Sequence, residues 1–142
     1  MKRSLGMFLI FAAGLVAGQL LPAVHVLEAQ TGAHVFELRT YTAPEGKLTN
    51  LHARFRDHTR RIFEKHGMKS VGYWVPQDAP NSSNTLIYIL EHPSREAAKK
   101  AWADFTADPE WVKVSAESQK DGRIVSKVES VFMDPTDYSP IK

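Results

Sequence analysis

The chain of 142 residues contains no cysteine. That absence excludes a disulfide-built scaffold, a thiolate-ligated zinc or iron–sulfur site and a cysteine nucleophile. It leaves the compartment open, because oxidising and reducing compartments both tolerate such chains. An excess of one charge is also missing: 18 Lys+Arg face 16 Asp+Glu, a net charge of +2. A nucleic-acid binder carries a clustered basic excess, so that class is excluded. No glycine-rich phosphate loop occurs, which removes support for a nucleotide site. Ser82 and Ser83 stand in a turn without a neighbouring acid–base pair, so a serine hydrolase is unsupported. The histidines lack metal-ligand spacing. His52, His58 and His66 share one predicted helix but not the three- or four-residue spacing that puts two rings on one side. No metal site and no cofactor is expected from these patterns. A satisfied structural role is the simpler reading of His66, with carbonyl capping and axial haem ligation as the alternatives.

Other features are ordinary for a globular domain: 43% hydrophobic and 24% charged residues. The first thirty residues stand apart. Met1-Lys2-Arg3-Ser4 is short and positive, and Leu5 to Leu21 is almost wholly apolar. That order is the charged and apolar regions of an export signal. Cleavage after Ala29, or near Ala17 and Gly18, is one reading. An uncleaved anchor over Leu5 to Val26, about the 20 residues a span needs, is the other. Both place the body outside the cytoplasm, periplasmic or anchored to the inner membrane and facing outward. The expected division is therefore 1–30, signal peptide or anchor, and 31–142, a single folded domain. Membrane contact is expected only through an uncleaved leader.

The body reads as strand, helix, strand, strand, helix, strand. His34 to Tyr41 alternates apolar and polar residues, the period of a half-buried strand. Lys47 to His66 has helical spacing, with Leu48, Leu51, Phe55, Thr59, Ile62 and Phe63 on one stripe. Asn50, Arg54, Asp57, Arg60, Arg61 and Glu64 are assigned to the solvated face. Gly67 suits the position just past the helix end. Val71 to Val75 and Thr85 to Glu91 read as strands around the turn chemistry of Asp78 to Asn84. Ser94 is an N-cap candidate for a helix over Arg95 to Phe105. Asp108-Pro109-Glu110 restarts a helix that runs to about Lys120. Ile124 to Met133 is the last strand, and an irregular tail follows.

Two such halves predict an α+β fold, a ferredoxin-like βαββαβ sandwich with helices on one face of an antiparallel sheet. On the first strand Phe36 and Leu38 are expected to face the helices, with Glu37, Arg39 and Tyr41 on the other side. The strand Thr85 to Glu91 is apolar on both faces, which favours covering the second face with another copy of the chain. A homodimer paired through its sheets is therefore expected.

Phe36-Glu37-Leu38-Arg39-Thr40-Tyr41, followed by Pro44-Glu45-Gly46-Lys47, resembles the NIPSNAP family. Phe55 to Gly67, Val71-Gly72-Tyr73-Trp74 and Ala107-Asp108-Pro109-Glu110-Trp111 continue the likeness over roughly residues 34–135. The resemblance implies a dimeric α/β-barrel, in which two ferredoxin-like sheets close across a dimer. Relatives on that architecture include antibiotic-biosynthesis monooxygenases, haem-degrading monooxygenases and lactone isomerases. The family carries over no agreed activity, and kinship of fold does not fix a reaction.

The candidate ligand-binding residues are Glu37, Arg39, Tyr41, Tyr73, Trp74 and Tyr88. Glu37, Arg39 and Tyr41 share one strand face, and a buried acid and base there either pair structurally or bind a polar ligand. The ion pair is the simpler reading. Glu129 on the last strand is a further candidate partner for Arg39. Tyr73, Trp74 and Tyr88 offer an apolar pocket with hydroxyl handles for a small apolar or aromatic ligand, with plain core packing as the alternative. No catalytic residue is assigned. The expected function is a dimeric module that binds a small molecule or a partner. The alternative is a cofactor-independent monooxygenase or isomerase acting on a small aromatic substrate.

Overall fold

The computed structural model describes residues 34–142. The leader expected to act in export, residues 1–30, lies outside the described residues. The elements follow in the order β1 (Val35–Thr42), α1 (Leu48–Arg54), a π-helical turn (Phe55–Thr59), α2 (Arg60–Lys65), β2 (Lys69–Trp74), a 3-10 turn (Asn81–Ser83), β3 (Thr85–His92), α3 (Arg95–Ala107), α4 (Pro109–Ser118) and β4 (Lys127–Met133). The four strands form one antiparallel sheet in the order β2-β3-β1-β4. This is the expected α+β, ferredoxin-like arrangement. Among the described residues no helix is long and apolar enough to cross a membrane.

Local chemistry sets the element ends. Gly67 takes a left-handed φ of 73°, which lets α2 stop and the chain turn into β2. Ser94 caps α3, its hydroxyl accepting from the Ala97 N–H at 3.0 Å. Asp108 caps α4 in the same way through the Glu110 N–H at 2.8 Å, with Pro109 at the first helical position. The core fills the space between the sheet and the helices. Leu51, Phe55, Ile62 and Phe63 meet Leu86, Tyr88 and Leu90, closed by Ala101 and Phe105 from α3.

Four expectations are corrected. First, Glu37, Arg39 and Tyr41 face the helices, and Phe36 and Leu38 face away. Cross-strand partners share a face, and these three pair with Leu90, Tyr88 and Leu86, the apolar row of β3 that supplies the core. Second, Arg54 is buried, at 6% exposure. It lies three residues after Leu51 and one before Phe55, so its stem runs into the layer beneath the helix. Third, Glu129 pairs with Thr40 on the open face and forms an ion pair with Lys127 at 2.9 Å, away from Arg39. The last strand also begins later than the sequence suggests, at Lys127, because Ile124 drops into the core.

Candidate functional site: a buried carboxylate and a cationic cleft

Glu37 is 1% exposed and sits where β1, β3, β4 and α3 meet. Four donors converge on its carboxylate. Oε1 accepts from Arg39 Nη1 at 2.6 Å and from Ser130 Oγ at 2.7 Å. Oε2 accepts from Trp102 Nε1 at 2.7 Å and from His92 Nε2 at 3.1 Å. An ionised carboxylate only accepts, so His92 carries its hydrogen on Nε2. Burial by itself raises the Glu37 pKa. The bonds from His92, Ser130, Trp102 and Arg39 outweigh it and hold the group down at about 2.

Arg39 is held by the same chemistry. Burial disfavours its charge, but Tyr41, Tyr88 and Glu37 more than compensate and raise its pKa. Its guanidinium stacks 4.1 Å from the centre of the Trp102 ring. Nη2 reaches the Tyr41 hydroxyl only at 3.5 Å, and the buried Nε has no partner among the described residues.

The aromatic candidates separate into two groups. Tyr41, Tyr73 and Tyr88 pack in the core around Phe55, with ring centres between 5.2 and 5.9 Å from it. Tyr73 is stacked on Tyr88 at 5.6 Å and bonds Ser70 Oγ at 2.7 Å. Tyr88 is fully buried, its hydroxyl without a well-formed hydrogen bond among the described residues, and burial pushes its phenol well above the usual tyrosine range. Trp74 belongs to neither this cluster nor the Glu37 network. It lies on the open face of the sheet, 49% exposed, over Gly72. A Cβ at position 72 would stand 2.6 Å from its ring. The one-residue step from Tyr73 to Trp74 reverses the side of the sheet.

Beside the Glu37 network a cleft of about 590 Å³ opens between the sheet and α3. Arg39, Ser130 and Phe132 line it from the sheet, and Arg95, Glu96, Lys99 and Trp102 from α3. The Arg95 guanidinium lies 3.8 Å from the Phe132 ring centre. With Glu37 already saturated by donors, the charges left at the cleft are those of Arg39, Arg95 and Lys99 against the single exposed carboxylate of Glu96, and the flat surfaces are aromatic. Such a surface binds a planar anion through charge and stacking.

Sequence reasoning missed Trp102, Ser130, His92, Arg95, Lys99 and Phe132 as parts of this network. One signal was present. Arg95, Lys99 and Trp102 are spaced i, i+4, i+7, which puts two cations and an indole on one stripe of α3. Of the histidines, His92 belongs to the Glu37 network and His66 has a separate role. His66 does not cap the α2 carbonyls through its ring; Nε2 lies 2.7 Å from Asp108 Oδ2, beside Lys65 on the same carboxylate.

Comparison with solved structures gives the same fold. A NIPSNAP family protein of unknown function from Agrobacterium tumefaciens superposes with a TM-score of 0.67 at 24% identity, covering 78% of this chain and 95% of its own. An uncharacterised NIPSNAP-like domain protein from Burkholderia xenovorans gives 0.66 at 17% identity, covering 76% and 90%. SnoaB, a cofactor-independent oxygenase from Streptomyces nogalater, gives 0.50 at 15% identity, covering 76% and 98%. No curated protein matches the chain significantly. The NIPSNAP family model matches residues 36–140, which takes in every element from β1 to β4, and the chain therefore belongs to the NIPSNAP family.

Proposed function

We propose that this protein is a binding module for a small aromatic carboxylate, held in the cleft between the sheet and α3. The observation that carries the reading is the Arg39 guanidinium. It lines the cleft, stacked on Trp102 and anchored on Glu37. Arg95 and Lys99 add positive charge from α3, and Phe132 a second aromatic plate. The module works as a homodimer paired through the open faces of its sheets, where Leu38, Ile87, Ile89, Val131 and Trp74 stand apolar. Val131 is 54% exposed and Trp74 49%, an unusual setting for side chains of this kind in an isolated sheet. The leader sequence supports a location outside the cytoplasm.

The test is titration calorimetry with benzoate and with neutral benzamide. Benzoate is expected to bind and benzamide not to bind. Arg95→Gln combined with Lys99→Gln should weaken benzoate at least tenfold without lowering the melting temperature, since both side chains are exposed. Equal binding of the two probes, or unchanged binding in the double variant, overturns the reading. Turnover of a phenolic substrate without added cofactor would instead support an enzyme.

A further inference from the structure

A second cleft, of about 510 Å³, lies between α1 and α4. It shares no lining residue with the α3 cleft. Of its charged side chains, Arg54 alone is buried. The others do not neutralise it. Glu110 is engaged by Arg61, with Lys65 at 3.8 Å, and Glu117 is engaged by Lys120 at 2.7 Å. Asp57 and Asp121 are exposed on the rim, as are His58 and Lys113.

Among the described residues the Arg54 guanidinium makes no ion pair and no hydrogen bond, and its Nε is fully buried. The Trp111 ring, 5.1 Å away, supports it, and the Tyr41 and Tyr88 phenols lie near enough to feel its charge. Neither supplies the carboxylate that a buried guanidinium ordinarily has. Arginine does not discharge to relieve burial, so the charge persists. The backbone there is specialised as well. The π-helical turn Phe55–Thr59 begins directly after Arg54, and the Thr59 hydroxyl donates to the Arg54 carbonyl at 3.2 Å. Turns of this type concentrate at functional sites.

We propose that the α1–α4 cleft is a second binding site, in which Arg54 receives the carboxylate of a small aliphatic acid whose apolar body lies along Ala53 and Val114. The guanidinium takes the two carboxylate oxygens in its planar fork. Lys113 and His58 at the mouth assist entry.

Hexanoate is the probe, read by calorimetry and by the rise in melting temperature it produces. Arg54→Met keeps the stem and removes the charge. It should abolish the hexanoate-induced rise, while the ligand-free protein melts at the same temperature as the parent or higher, because an unpaired buried charge has been removed. A ligand-free variant that melts much lower, or one that still responds to hexanoate, overturns the proposal. Asn50→Glu is the second variant. Asn50 is exposed, lines the cleft, and stands four residues before Arg54 on α1. Its new carboxylate pairs with Arg54 at i, i+4 and occupies the site from within. This variant should weaken hexanoate at least tenfold and melt higher than the parent. Undiminished hexanoate binding in Asn50→Glu overturns the proposal independently of any folding effect in Arg54→Met.

Discussion

A carboxylate with 1% exposure is stable only when its lone pairs are filled, and Glu37 fills them with four donors from four different positions. Removing Arg39 leaves that carboxylate buried without its one permanently charged partner. Arg39→Ala is expected to destabilise the fold by on the order of 3–5 kcal/mol, read by urea denaturation. A loss below about 1 kcal/mol would show the pair to be incidental. The same network makes an acid-stability prediction. The Glu37 pKa falls from 4.5 to about 2 on folding. A depressed folded-state value means that the ionised group's contribution is complete above pH 4.5 and is lost as pH falls toward 2. Melting temperature should decline through that window, and Glu37→Gln should flatten the decline while lowering stability at neutral pH.

At the scale of elements, α3 and α4 are tied down by their first residues. Ser94→Ala removes the hydroxyl that satisfies the Ala97 N–H and should cost about 1 kcal/mol, measured by denaturation. Asp108 has a wider role than a cap. It accepts from the Glu110 N–H, from Lys65 at 2.7 Å and from His66, so it joins the end of α2 to the start of α4. Asp108→Ala should therefore raise amide exchange at both places, not in α4 alone. On β2, the close approach of Trp74 to Gly72 permits no side chain without movement of the ring. Gly72→Val is expected to displace the indole and shift its fluorescence while the helix-facing core keeps its packing.

At the scale of the whole molecule, the sheet has one face packed on helices and one open face rich in apolar side chains. Light scattering of residues 31–142 should give a dimer at micromolar concentration. Placing a charge at the centre of the open face, as in Ile87→Glu, should give a folded monomer, whereas a monomeric parent would refute sheet pairing. Export is tested by the leader. Replacing Leu9 and Ile10 with charged residues should leave the protein in the cytoplasm, and continued export would refute the role of that segment.

Much of the fold is written locally. The alternation of β1, the turn residues between β2 and β3, Gly67 after α2, Ser94 before α3 and Asp108-Pro109 before α4 each act on their own few residues, so they are legible one segment at a time. The order of those elements, with the motifs of β1 and α4, was enough to indicate the family. The site was only half legible. Glu37, Arg39 and Tyr41 stood out because charges in mid-strand need a reason, but the side they face is not encoded in β1, which carries apolar residues at alternate positions with polar ones between. Pairing with β3 decides it: Tyr88 and Leu90 fix which face joins the core, and Arg39 and Glu37 follow their partners inside. The donors that make this bearable, His92, Trp102 and Ser130, come from 55, 65 and 93 residues away along the chain. Tertiary structure alone brings them to one carboxylate, because its demand for hydrogen bonds is met in space and leaves no pattern in sequence.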